Sequence, residues 1–289
     1  MIKKSRSYYS YLWILPALIL YLLFSIVPTL QGIFYSFTYW NIFDSRFAGL
    51  DNYINILTNP QINIAFKNTI LFTVITTFFK VFLGLILAII LNRKIRTANI
   101  MRTIYFMPAI VSNVAVALIF SSILHPDGIF NSFLRSINMD FLTRSWLTDT
   151  NLVMYSVSAI EIWKWTGFTM VILLAGLQTI PFEYYEAANI DGATAFDKFK
   201  SITFPLLMPA FNNAFIISLV GGLKVFDLVY ALTGGGPGNA SEVLSTYVFK
   251  AYGNGYYGEA CAAGVIIGVL VSTISLATLK PLRAREVEV

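Results

Sequence analysis

The sequence predicts an all-α integral membrane protein with six membrane spans. Three observations predict it. Of the 289 residues, 57% are hydrophobic and 12% are charged, against about 45–50% and about 25% in ordinary soluble domains. The apolar residues gather in six long runs. Lysine and arginine collect in alternate connections between those runs. Too little polar surface is available to cover a soluble particle, which argues against a soluble enzyme. The net charge of +5 fits basic ends and loops beside a membrane, and no nucleic-acid partner is expected. A lone cysteine, Cys261, excludes an internal disulfide, and the single histidine, His125, makes a histidine-based metal site implausible.

The chain is expected to form one membrane domain over 1–289. A basic head (Lys3, Lys4, Arg6) precedes the first span, 12–37. That run is too long for a secretory signal and lacks a small-residue cleavage site behind it. Pro16 sits near its start, where proline is tolerated, and Pro28 is expected to bend it. Tyr35, Phe37, Tyr39 and Trp40 form an aromatic belt at its exit. Span two is 68–91 and carries Lys80. Span three is 103–124 and contains Pro108; the turn His125-Pro-Asp-Gly128 closes it. Span four is 152–180, longer than the roughly 20 residues a bilayer needs. Span five, 206–232, is stopped by Thr233-Gly-Gly-Gly-Pro-Gly238, which cannot continue a helix. Span six is 258–279, followed by Lys280, Arg283 and Arg285.

Three basic residues stand in the head, four in the second connection (Arg93, Lys94, Arg96, Arg102) and three in the tail. The other connections hold Arg46 and Lys67, Arg135 and Arg144, and Lys250. The positive-inside rule then puts both termini in the cytoplasm. The connection 181–205 falls on that same side, yet it holds Glu183, Glu186, Asp191 and Asp197 against Lys198 and Lys200. It is patterned as two small helices, the first opened by Pro181 and closed at Asp191-Gly192. The small residues Ala187, Ala188, Gly192 and Ala193 let another surface approach the backbone. Tyr184, Tyr185, Phe196 and Phe199 are apolar anchors of the kind that dominate interfaces. A solvated connector and a docking element both fit this pattern, and the small-residue run between acids favours docking.

The stretch Glu186-Ala-Ala-Asn-Ile-Asp-Gly192, with Ile202 and Pro205 behind it, resembles the EAA loop of ABC importer permeases. Tyr11-Leu-Trp-Ile-Leu-Pro16, Phe47-Ala-Gly-Leu-Asp-Asn-Tyr53, Phe106-Met-Pro108, Ala175-Gly-Leu-Gln-Thr-Ile-Pro181 and Leu232-Thr-Gly-Gly-Gly-Pro237 extend the resemblance to the carbohydrate-uptake branch. Within it the chain is similar to the MalF/UgpA-like permease, without the extra N-terminal helices and the large external insertion of the maltose type. The resemblance implies a type I importer permease of the bacterial or archaeal cytoplasmic membrane. It implies that Glu186, Ala187, Ala188, Asp191, Gly192 and Ala193 form a coupling helix seated on a cytoplasmic ATPase. It also implies a MalG-like companion permease, two ATPase subunits, an external solute-binding protein and a membrane-lipid surround. The chain lacks a Gly-x-x-x-x-Gly-Lys-Ser/Thr phosphate loop. No cofactor is therefore expected in the chain itself, and ATP and magnesium belong to the partner ATPase. The transported solute is expected to be a sugar or oligosaccharide; an acidic saccharide or a glycerol-phosphate-type solute is the alternative. An ion-coupled secondary transporter is the rival from another class, and it gives no reason for an acidic Glu-Ala-Ala loop.

Charges inside spans are costly and mark functional positions. Glu161 and Lys164 are three apart, as are Lys224 and Asp227, so each pair can share one helix face. Two uses are open for each: a self-neutralising packing pair or a solute contact. Lys80 suits the packing role. Trp163 and Trp165 flank the first pair, and Asn113, Asn212 and Asn213 are uncharged candidates for sugar hydroxyls. The substrate path is therefore expected among Asn113, Glu161, Trp163, Lys164, Lys224 and Asp227. In span six, Ala260, Gly264, Gly268 and Ser272 recur every four residues, a stripe suited to close helix contact.

Overall fold

A computed structural model of the chain describes residues 11–41, 43–93 and 96–284. The basic head with Lys3, Lys4 and Arg6, and also Lys94 and Arg285, lie outside the described residues. In chain order the elements are α1 (Leu15–Tyr35), β1 (Thr38–Trp40), β2 (Ser45–Phe47), α2 (Asp51–Thr58), α3 (Pro60–Leu91), α4 (Ala98–Ile110), α5 (Asn113–Ile123) and α6 (Ile129–Ser136). There follow α7 (Val153–Gln178), α8 (Glu183–Ile190), α9 (Ala195–Leu223), α10 (Asp227–Thr233), α11 (Leu244–Gly253) and α12 (Tyr257–Arg283). Among the described residues five helices are long and apolar enough to cross a membrane, and the bent pair α4–α5, counted as one span, brings the number to six.

The helices depart from the expected spans where the sequence carries start or break signals. Helix α3 begins at Pro60, earlier than expected, because Asn59 caps it through Gln61 N–H at 2.9 Å and Pro60 suits the first turn. The third span bends by 95° between Ile110 and Asn113. Val111 is extended there, and Ser112 caps the second half by accepting from Ala115 N–H at 3.3 Å. The fifth span breaks at Lys224–Phe226 and ends at Gly234, whose φ of 58° is left-handed. Helix α9 also continues through Pro205, joining the second helix of the connection 181–205 to the fifth span. A π turn at Phe199–Thr203 precedes that proline, and another at Leu22–Ile26 precedes Pro28. The wider turn makes room for a ring that lacks an N–H to donate.

Contacts divide the chain into two units. The first joins the N-terminal part of the chain to the segment Val248–Ile266. Its hairpin pairs Thr38 with Phe47 and Trp40 with Ser45, antiparallel. Buried Asn52 donates to the carbonyls of Ser36 and Thr38, each at 2.9 Å. A Cβ on Gly258 would stand 2.0 Å from the Thr38 carbonyl oxygen, so the start of α12 lies directly on the hairpin backbone. Helix α1 buries none of its apolar window within the chain.

The second unit is built around α7, 61% of whose apolar window is buried. Met170, Leu173 and Leu177 pack with Ala88 and Leu91 of α3 and Leu207 of α9. Higher up, Val153, Val157 and Ile160 pack with Phe72, Val116 and Leu228. Backbones approach closely at glycines: a Cβ on Gly167 would lie 1.8 Å from the Tyr105 carbonyl oxygen, and one on Gly222 2.9 Å from the Thr73 Cα. No side chain larger than hydrogen fits the first of these crossings without moving backbone.

Candidate functional site

The two helix breaks meet in the second unit around a cavity of about 220 Å³. Its wall includes Lys80, Asn113, Glu161, Trp165, Lys224 and Asp227. Lys80 Nζ stands 3.4 Å from Glu161 Oε1, with both side chains almost fully buried. This pair joins α3 to α7. Lys164 donates to the Val111 carbonyl at 2.7 Å and to Asn113 Oδ1. It thereby caps a carbonyl that the α4 break leaves without a helical partner. Asn113 passes the connection on, donating from Nδ2 to Asp227 Oδ2 at 3.2 Å. Asn113 and Asp227 are each the first residue of a half-helix, where a carboxylate suits the positive helix end.

The expected pairings within one helix are therefore replaced by pairings between helices. Glu161 bonds Lys80 rather than Lys164, and Asp227 bonds Asn113 rather than Lys224. The helix breaks cause the second change, because Lys224 lies on the irregular link and no longer shares a helix face with Asp227. Lys224 and Asp227 are both exposed at the cavity wall. Trp163 is half-exposed, packs edge-on against Phe120 and does not line the cavity. Trp165, two positions on, lines it instead, edge-on to Phe168 at 5.7 Å. Two residues advance a helix by more than half a turn, so only one of the two tryptophans can face the cavity. Asn212 is turned away as well, donating to the Leu282 carbonyl at 3.1 Å. The cavity wall carries two cations, Lys80 and Lys224, and two carboxylates, Glu161 and Asp227.

The polar connection 181–205 forms a second site. Helix α8 ends in a Schellman arrangement: Ala193 N–H reaches the Ala188 carbonyl at 2.9 Å and Gly192 N–H the Asn189 carbonyl at 3.2 Å. Gly192 takes φ +73° there, with nothing within 4 Å of a would-be Cβ. Ala188, Gly192 and Ala193 thus shape the helix end. Glu186, Ala187, Asp191 and Gly192 are exposed, and Ala188 and Ala193 are half-buried. Thr194 and Asp197 form a capping box, with Asp197 Oδ2 accepting from Thr194 N–H at 3.0 Å and from its hydroxyl at 2.6 Å. Lys198 donates to Asn189 Oδ1 and ties α8 to α9. Tyr185 turns inward to Thr203 at 3.0 Å, while Tyr184 and Phe196 stay exposed. Phe182 and Ile190, exposed by 68% and 87%, extend the apolar face beyond the residues expected to anchor it.

Residues 80–282 match the family model of the binding-protein-dependent transport system inner membrane component. The chain belongs to that family. The permease is 37% identical over 276 residues to the probable ABC transporter permease protein YurN of Bacillus subtilis, covering 93% of this chain and 94% of that one. It is 34% identical over 288 residues to the trehalose/maltose transport system permease protein MalF of Thermococcus litoralis, covering 98% and 97%. Among solved structures, it superposes with a TM-score of 0.84 and 27% identity on a chain of a bacterial ABC transporter involved in the import of the acidic polysaccharide alginate. That match covers 95% of this chain and 94% of the other. The permease is thus an inner-membrane component of an ABC transport system and not an enzyme.

Proposed function

We propose that the permease is one of two membrane subunits of an ATP-driven importer for neutral sugars or oligosaccharides, acting as a single permease domain with both termini in the cytoplasm. The observation that carries the substrate class is the cavity at the two helix breaks. Its charges balance, its polar groups include both donors and acceptors, and Trp165 and Phe168 supply aromatic surface. A neutral polyol suits such a wall better than an anion. Discontinuous membrane helices with half-helix starts at a polar cavity are a recurrent way to bind solutes within a bilayer. At about 220 Å³ the cavity is smaller than ordinary ligand sites of roughly 300–1,000 Å³, which suits a site completed by a companion permease. The open small-residue stripe of α12 supports such a companion, since nothing lies within 4 Å of a Cβ on Gly264 or Gly268.

In this reading the exposed face of α8, with Glu186, Ala187, Ala188, Asp191, Gly192 and Ala193, docks on one of two cytoplasmic ATPases. An external binding protein delivers the solute. Asn113, Glu161, Lys164, Lys224 and Asp227 form or position the substrate path, with Trp165 in the place expected of Trp163. Reconstitution with the partner subunits tests it. Uptake of a neutral oligosaccharide should proceed with ATP after proton and sodium gradients are collapsed. Uptake that stops with the gradients and persists without ATP sinks the reading.

A further inference from the structure

The first unit holds a larger cavity, of about 570 Å³, between the β-hairpin and the start of α12. It is made of polar side chains around aromatic rings. Asp44 and Asn55 stand on the hairpin side and Asn254 and Tyr256 on the other. Among the described residues the side chains of these four make no hydrogen bond or ion pair. Tyr256 is 61% exposed and stacks on no other ring among the described residues. The frame around them is fixed. Trp40 stacks on Tyr35 at 4.2 Å and leans on Tyr257 at 5.2 Å. Asn41 Oδ1 accepts from Phe43 N–H at 3.0 Å and Asp44 N–H at 2.7 Å, ordering the hairpin tip.

We propose that this cavity is an outer saccharide subsite for neutral pyranose rings. A sugar presents hydroxyls that both donate and accept, and an apolar C–H face. Asn55 and Asn254 offer donors and acceptors, and Asp44 offers acceptors. The unstacked ring of Tyr256 offers the apolar platform. The volume falls within the roughly 300–1,000 Å³ of small-molecule sites. The charge at the wall selects against uronates and phosphates. Among the described residues the Asp44 carboxylate has no side-chain partner at this wall, and the Arg46 guanidinium is held over the Tyr39 ring, 5.0 Å from its centroid. The hairpin follows the first span, which the charge count places outside, so the cavity meets the solute before the membrane does.

This inference rests on the saccharide-permease reading, and the test separates the two. Saturation-transfer NMR is recorded on the assembled transporter in nanodiscs, without binding protein, with maltose, trehalose and lactose as probes. At least one should give a signal, and digalacturonate a signal at least fivefold weaker. The signal should fall at least fivefold in Tyr256→Ala/Asn254→Ala, and independently in Asp44→Ala. No signal from any of the three neutral sugars overturns the subsite, as does an equal signal from digalacturonate. A signal that survives both outer variants also overturns it. Weakened capture of the binding protein with an unchanged sugar signal assigns the cavity to protein docking and overturns it too. ATP-driven uptake is measured in parallel on the same sugars. Uptake without a signal fells the outer subsite alone; absence of both fells the substrate reading with it.

Discussion

Asn113 and Asp227, 114 residues apart in sequence, are hydrogen-bonded at 3.2 Å across the gap between two broken helices. Asn113 also receives Lys164, so one side chain links α5, α7 and α10. Replacing it by leucine removes both bonds and leaves the Lys164 ammonium with a single acceptor. We expect Asn113→Leu to lower initial uptake in proteoliposomes at least tenfold, about 1.4 kcal/mol of lost transition-state or ligand stabilisation. Asp227→Asn retains an acceptor for the Asn113 amide and should lose less. Equal losses in the two variants would show that the charge of Asp227, and not its bond to Asn113, matters.

The Lys80–Glu161 pair gives a stability prediction. Removing one partner of a buried ion pair leaves the other charge uncompensated and typically costs about 3–5 kcal/mol. Lys80→Met and Glu161→Met should each sharply lower the thermal midpoint in detergent. The double variant should recover most of the loss. A double variant as unstable as the sum of the singles would mean that the two charges do not interact.

Gly167 lies against the Tyr105 backbone with no room for a Cβ. Gly167→Ala forces α4 and α7 apart. Overpacking of this kind typically costs about 1–3 kcal/mol, read as a lowered unfolding midpoint. Gly264→Ala, at an open position of α12, should leave the isolated subunit unchanged and act only on assembly with a companion.

Gly192 separates folding from coupling. Its left-handed φ suits glycine and tolerates asparagine, and space around it is open. Gly192→Trp should leave the spans folded while ATPase activity loses its stimulation by transport, or the ATPase fails to bind. Gly192→Asn should keep transport. Wild-type coupling in the tryptophan variant would remove this face of α8 from any docking role.

The long apolar helices were legible because hydropathy over some twenty residues reports burial in a bilayer whatever the neighbours do. The breaks were less so. Val111 and Val225–Phe226 are as apolar as the helices they interrupt, and hydropathy carries length but not direction. Ser112 as a cap and Asn59-Pro60 as a start were local signals strong enough to have been used. The partner of Glu161 was out of reach, since Lys80 lies 81 residues away and helical spacing proposes only neighbours three or four apart. The choice between Trp163 and Trp165 needed the packing of α7, because its polar residues (Ser156, Ser158, Glu161, Lys164, Thr166 and Thr169) are scattered around the helix and leave no single hydrophilic face to orient it. The EAA-type loop was the most legible part, because its alanines and glycine also write the helix end that the backbone adopts.

Helix α9 starts at the capping box of that loop and ends, 29 residues later, at the link that walls the inner cavity. At 1.5 Å per residue it spans about 43 Å. The place where force would enter and the place where a solute would sit are thus the two tips of one continuous strut. A displacement at one tip reaches the other along a helix whose backbone ladder is incomplete only at the π turn Phe199–Thr203 and at Pro205 and Pro209. Substitutions at the two ends of α9 should therefore act on coupling, whereas those in its middle, at Leu207 or Asn212, should act on packing and stability.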